Sequence, residues 1–249
     1  MIQEVKKKLT NFKLAGISKS LEDIIETVKE GKISHLEFLN QLLDEEELSR
    51  KNNSLRKRMS KSKISKTGQK KVEDFDFIFQ PSVSKSQILN IATCSFMYKK
   101  ENIIFLGKPG TGKTHLATAI GFKALLKGYK VLFTTAYDLI QELYQSRADG
   151  SYYKKIEEYK KPDLLIIDEL GFKKFTQNAV DDLFEIINQR YENSSIIITS
   201  NKPFEDWGNI LFDPVLASAI IDRLIHHSQI ISIKGESYRA KAHKEAMKK

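Results

Sequence analysis

The stretch "NIIFLGKPGTGKT", residues 102–114, constrains the fold more than any other part of the chain. Residues 107–114 match G-x-x-x-x-G-K-[ST], and the motif carries meaning only between a strand and a helix. Both are expected here. "NIIFL" is a short apolar run with the look of a buried strand, and a helical pattern opens at Thr114 and runs to Lys127. Gly107, Gly110 and Gly112 permit backbone conformations that a Cβ would block. Backbone N–H groups of the loop Gly107, Lys108, Pro109, Gly110, Thr111, Gly112, Lys113, Thr114 and His115, other than Pro109's, together with the helix N-terminus, are then expected to surround phosphates. Lys113 is expected on the β- and γ-phosphates, and the Thr114 hydroxyl on Mg²⁺.

Further apolar runs follow the loop: "KVLFTT", "DLLIIDE", "SIIITSN" and "IISI", with helical stretches between them such as Ala179–Tyr191. Near-continuous Ile, Leu and Val predict strands covered on both faces, hence an α/β fold with a parallel sheet flanked by helices. Asp168 ends one of these strands and is placed at the sheet edge where open α/β sheets bind ligands. It is expected to hold Mg²⁺ with Thr114, and Glu169 to polarise the attacking water as general base. Asn201, at the end of the next run, is a neutral amide suited to holding that water. Together these residues imply hydrolysis of a nucleoside triphosphate, with ATP and Mg²⁺ as the expected ligands. Nothing in the chain matches the N-K-x-D base-reading motif of GTP-binding proteins; "NKPF" at 201–204 lacks the Asp.

Ahead of this lies a helical segment. Leu21, Ile24, Ile25 and Val28 share one helix face, and Gly31 ends that helix. Ser34 and Glu37 form a capping box for the next, which carries Phe38, Leu39, Leu42 and Leu43. The chain then turns basic. Residues 50–71 hold ten Lys or Arg and no acidic residue, so the net charge of +9 resides there and the remainder is near −1. A run so one-sided points to phosphate backbones, with Arg56, Lys57, Arg58, Lys61 and Lys63 as candidate nucleic-acid contacts. "TGQ" at 67–69 reads as a hinge. In "EDFDFIFQPS" the alternating Phe75, Phe77 and Phe79 read as an extended docking segment. The expected organisation is a helical domain over 1–70 and an α/β nucleotide domain over 71–249.

The single cysteine, Cys94, excludes a disulfide framework and a cysteine zinc site. No apolar run approaches the roughly 18 residues of a membrane span. The N-terminus lacks the apolar core of a secretion signal, so a cytoplasmic location without membrane contact is expected. His226 and His227 are neighbours, and adjacent side chains in a helix do not share a face, which argues against a metal site there. Trp207 reads as a packing anchor.

The sequence resembles the IstB-type transposition helper ATPases encoded by insertion sequences, relatives of the DnaC helicase loaders in the AAA+ class. The matching segments are "EDFDF", "GKPGTGKTHLATAIG", "VLFTTAYDL", "DLLIIDELGF", "TSNKPFEDWGNILFDP" and "IIDRLIHHSQIISIKGESYR", in order over residues 73–239. "KLAGISKSLEDII" and "SHLEFLNQLLDEE" resemble the family's N-terminal domain. The resemblance implies a five-stranded AAA+ core and a homo-oligomer with ATP sites at subunit interfaces. It implies binding and deformation of duplex DNA and stimulation of a partner transposase; a helicase loader acting on single strands is the alternative. Arg223 matches the arginine that reaches a neighbouring subunit's γ-phosphate, and Arg239 the sensor arginine for the chain's own nucleotide. Tyr152 to Lys155 fall where initiator-related members carry a DNA-contacting insertion, which adds Lys154 and Lys155 as candidate contacts.

Overall fold

The computed structural model of the chain describes residues 1–31, 33–64, 68, 70–241 and 247. Of the expected hinge, Thr67 and Gln69 lie outside the described residues. The chain divides into two compact units, Met1–Arg58 and Met59–Lys249.

The first unit holds α1 (Ile2–Asn11), α2 (Ala15–Lys29) and most of α3 (His35–Ser62). Ile17, Leu21 and Leu42 form its small core, with Leu9, Leu14, Ile24, Ile25 and Phe38 packed around them. The capping box forms: Ser34 N donates to Glu37 Oε2 at 2.7 Å and Glu37 N to Ser34 Oγ at 3.3 Å. Of the apolar face expected on α3, Leu39 and Leu43 stay more than half exposed, because α2 covers only the side carrying Phe38 and Leu42. The start of α2 is capped from a distance. Glu46 on α3 accepts from the N–H of Gly16 at 2.7 Å and of Ile17 at 3.3 Å, and from Arg50 Nε at 2.7 Å. A Cβ on Gly16 would sit 2.5 Å from the Glu45 carbonyl oxygen, so only glycine permits this close crossing.

In the second unit, α4 (Lys85–Ala92) precedes a regular alternation. The order is β1 (Asn102–Gly107), α5 (Lys113–Leu126), β2 (Val131–Thr135), α6 (Ala136–Ala148), α7 (Tyr152–Lys160), β3 (Leu164–Leu170) and α8 (Gln177–Arg190). Then come β4 (Ser195–Ser200), α9 (Trp207–Ile210), α10 (Pro214–His226) and β5 (Ser228–Ile233). All pairings are parallel, in the order β2-β3-β4-β1-β5. Ile, Leu and Val of the inner strands are buried on both faces, as the runs predicted. The β5 run differs: it is an edge strand, and Ile230 faces outward. Trp207 is 1% exposed and packs on Phe204, confirming it as an anchor. Arg190 is equally buried and donates to the carbonyls of Tyr159, Lys160, Pro162 and Ser195, tying the end of α8 to the starts of β3 and β4.

Tyr152–Lys160, which carries the candidate contacts Lys154 and Lys155, is a helix, held by the Tyr152 hydroxyl donating to Asp182 at 2.7 Å with Arg147 over its ring. One expectation changes at this level. The segment after Lys71 is a short 3₁₀ turn, Val72–Asp74, and further turns rather than an extended strand. Phe75 nonetheless buries itself, while Ile78 is 94% exposed.

Candidate nucleotide site

The topology decides where the chemistry falls. Because β4 inserts between β1 and β3, its C-terminal end separates the loop after β1 from the carboxylates ending β3. These three ends open on one cavity of about 800 Å³, whose walls include the loop Pro109–His115, Asp168, Glu169, Asn201 and Arg239. The loop, acidic pair, polar amide and second arginine expected from sequence thus meet in one place. Phe75, Gln80, Thr199 and Tyr238 also line it.

Gly112 shows why the loop needs glycine. Its φ is +98°, and a Cβ there would stand 2.5 Å from the Phe75 ring that closes over the loop. The loop is also tied to the C-terminal segment, since Tyr238 N donates to Gly110 O at 2.9 Å. Lys113 Nζ donates to Gly107 O at 2.6 Å and Lys108 O at 2.8 Å. Burial lowers the pKa of Lys113; Asp168 and Glu169 oppose this and Arg239 adds to it. His115 faces Lys71 O across 2.7 Å and meets the Phe75 ring edge-on, so it also supports the wall from outside.

Thr114 Oγ1 donates to Asp168, 2.9 Å from Oδ1 and 3.0 Å from Oδ2. A hydroxyl and a carboxylate converging at this spacing form a hard oxygen donor set suited to Mg²⁺. Asp168 is only 4% exposed, and burial raises its pKa. The Thr199 and Thr114 hydroxyls and the Lys113 charge pull the other way.

Thr199 is the residue that sequence reasoning missed. Its hydroxyl donates to Asp168 Oδ1 and accepts the backbone N–H of Glu169 at 3.0 Å. It thereby fixes both acidic positions from the neighbouring strand. The available signal was a hydroxyl inside the apolar run "IIITSN". Glu169 itself takes a left-handed backbone, φ +60°, at a register irregularity between Ile167 and Leu170. In a regular strand residues 168 and 169 would face opposite sides. The irregularity turns both toward the cavity, and a residue held in this sparsely populated region is the kind of strain found at functional sites.

Arg223 lies elsewhere. On α10 its Nε donates to Asn188 Oδ1 at 3.0 Å and its guanidinium covers the Phe184 ring at 5.0 Å. Among the described residues no ion pair involves it, and it is not part of the cavity wall. Of the candidate nucleic-acid contacts, Lys63 and Lys155 are already engaged: Lys63 Nζ is 2.8 Å from Glu142, and Lys155 Nζ 2.8 Å from Glu158. Arg56, Lys57, Lys61 and Lys154 remain exposed, while Arg58 bonds Ser54 at 2.6 Å.

A glycine loop between β1 and α5, an acidic pair on β3, and β4 set between them define the AAA+ class of P-loop nucleotide-binding folds. The chain belongs to the family of IstB-like ATP binding proteins, whose model matches residues 7–246. It is 47% identical, over 83% of its length and 82% of the relative's, to a Geobacillus stearothermophilus protein described as an ATP-binding protein of insertion sequence IS5376. It is 36% identical, over 98% of its length and 92% of the relative's, to the corresponding protein of insertion sequence IS21 from Pseudomonas aeruginosa. Among solved structures, a DNA replication initiation factor superposes with a TM-score of 0.55 at 26% identity. That match covers 72% of this chain and about half, 54%, of the factor. No described helix is long and apolar enough to cross a membrane.

Proposed function

We propose that this chain is an ATP-hydrolysing, DNA-binding transposition helper that assembles on target duplex DNA, deforms it and stimulates a partner transposase. The observation that carries the hydrolytic part is the pair Asp168–Glu169, both turned to the phosphate loop and both tied to Thr199. In this reading Lys113 and the loop amides hold the β- and γ-phosphates. Thr114 and Asp168 hold Mg²⁺, which offsets phosphate charge when bound. Glu169 takes the proton of the attacking water and Asn201 orients that water. Arg239 acts on the chain's own nucleotide and Arg223 on a neighbour's, which makes hydrolysis a property of the oligomer. The relatives' names, which place them in insertion sequences, support the transposition role. The exposed basic face of α3 and Lys154 support contact with DNA phosphates.

Glu169→Gln tests the enzymatic part. ATP binding should persist while phosphate release falls about a hundredfold or more, the usual worth of a general base. Equal release from both proteins would sink the hydrolytic reading. ATP-dependent assembly on duplex DNA, followed by light scattering, tests the rest. A protein that stays monomeric with ATP and duplex but binds single strands would favour a helicase loader.

A further inference from the structure

The C-terminal end of α10 gathers three metal-ligating side chains that the proposed reaction does not use. Glu192, His226 and His227 each offer one ligand atom, and these atoms all lie within 4.8 Å of one another. Within a helix, adjacent residues point about 100° apart, which is why the sequence argued against a pair here. The helix, however, stops at His226, and His227 takes φ −124° and ψ 72°. Its ring swings back until the two imidazole centroids are 4.0 Å apart. The sheet holds this conformation, because Asn102 N at the start of β1 donates to the His227 carbonyl at 2.7 Å.

Glu192 arrives from the other side. Beyond the end of α8 it adopts a left-handed φ of +57°, which brings its Oε1 to 3.6 Å from His227 Nε2. The Tyr191 hydroxyl lies 2.6 Å from His226 Nδ1. The phenol oxygen can accept from Nδ1–H, and in that tautomer Nε2 keeps a free lone pair. Metal-ligating histidines are commonly oriented by such a partner. All three side chains are exposed, so a hydrated ion can enter and retain water.

We propose that Glu192, His226 and His227 bind one divalent transition-metal ion of the Zn²⁺ or Ni²⁺ type. Two imidazoles and a carboxylate, with water in the open positions, suit such an ion and not Mg²⁺ or Ca²⁺, which take oxygen donors. The site therefore does not compete for the ion of the nucleotide cavity. An ion held there clamps the end of α8 to the end of α10. Those are the two helices that carry Asn188 and Arg223, joined by the 3.0 Å bond between them. The ion thus stiffens the surface that presents Arg223. This last consequence rests on the proposed role of Arg223, whereas the site does not.

The full chain, freed of metal by a chelator and kept without nucleotide or Mg²⁺, is titrated with ZnCl₂ by calorimetry and with CoCl₂ by visible absorption. One ion per chain is expected. His226→Ala and His227→Ala should each weaken binding at least tenfold and abolish the Co²⁺ ligand-field bands, and Glu192→Gln should weaken it less. His35→Ala and Cys94→Ser should bind as the parent does. Melting curves of the metal-free variants establish that they are folded; if one is not, Glu192→Gln and the other histidine variant carry the test. Binding that survives in the folded His226→Ala/His227→Ala protein, or no saturable binding by the parent, overturns the proposal.

Discussion

Replacing Thr199 by Val keeps the branching and size of the side chain and removes only its hydroxyl. Two hydrogen bonds go with it, the one donated to Asp168 and the one accepted from the Glu169 N–H. Losing a donor to a charged carboxylate is worth about 1.5–3 kcal/mol, and a stranded amide costs about 1–3 kcal/mol. If about 1.4–2.7 kcal/mol of this is felt in the transition state, kcat for phosphate release falls about 10- to 100-fold. ATP affinity should change less, because the hydroxyl is spent on Asp168 and the Glu169 N–H. The pH profile supplies a second, signed readout. Burial raises the pKa of Asp168, and the Thr199 hydroxyl is one of the groups holding it down. Without that hydroxyl the pKa rises further, so more of the protein carries a neutral Asp168 at a given pH. The acid limb of kcat/KM then moves to higher pH. Thr199→Ser, which keeps the hydroxyl, should retain most activity. A Val variant within twofold of the parent, or a Ser variant as impaired as Val, would refute the argument that Thr199 holds the acidic pair.

Arg223→Ala and Lys113→Ala should each abolish most hydrolysis, yet a mixture of the two proteins should recover part of it, measured by phosphate release; no recovery would mean that Arg223 acts within its own chain or only holds structure. In the N-terminal unit, Gly16→Ala would force the Glu45 and Glu46 backbone away and destabilise the unit by about 1–3 kcal/mol, read by circular dichroism and proteolysis of the full chain. Glu46 has its pKa lowered by Arg50, against burial, with help from the Gly16 and Ile17 amides. Its contribution is therefore complete above the unfolded carboxylate value of about 4.3 and is lost as pH falls through the lower folded value. Glu46→Gln should be less stable at neutral pH and lack that acid transition.

Much of the site was legible in one dimension because its parts are contiguous. A loop of eight residues with three glycines can be read as a phosphate cradle without knowing its surroundings. A buried run ending in two carboxylates announces the edge of a sheet. The first four strands were legible for a similar reason: strands covered on both faces must be apolar almost throughout. Local periodicity was less reliable where burial depends on a distant partner. Leu39 and Leu43 carry the right spacing and stay half exposed, because the small core of the first unit takes up Phe38 and Leu42 instead. The bond from Tyr152 to Asp182, with Arg147 over the ring, joins α7 to α8 and has no signal in the local pattern.

By itself, then, the sequence determined the place of the glycine loop, the acidic pair that ends β3 and the parallel α/β architecture. These follow from residues adjacent in the chain, from continuous apolar runs and from the helical period of 3.6. The tertiary structure decided what stands beside what. Strand order set β4 between β1 and β3, and that alone placed the Thr199 hydroxyl against both acidic positions. A register irregularity turned Glu169 to the same side as Asp168. The end of α10 brought two histidines together that helical geometry would hold apart. In each case the deciding contact joins residues on different elements, or departs from the regular period, and neither kind of information is carried by the local pattern of the chain.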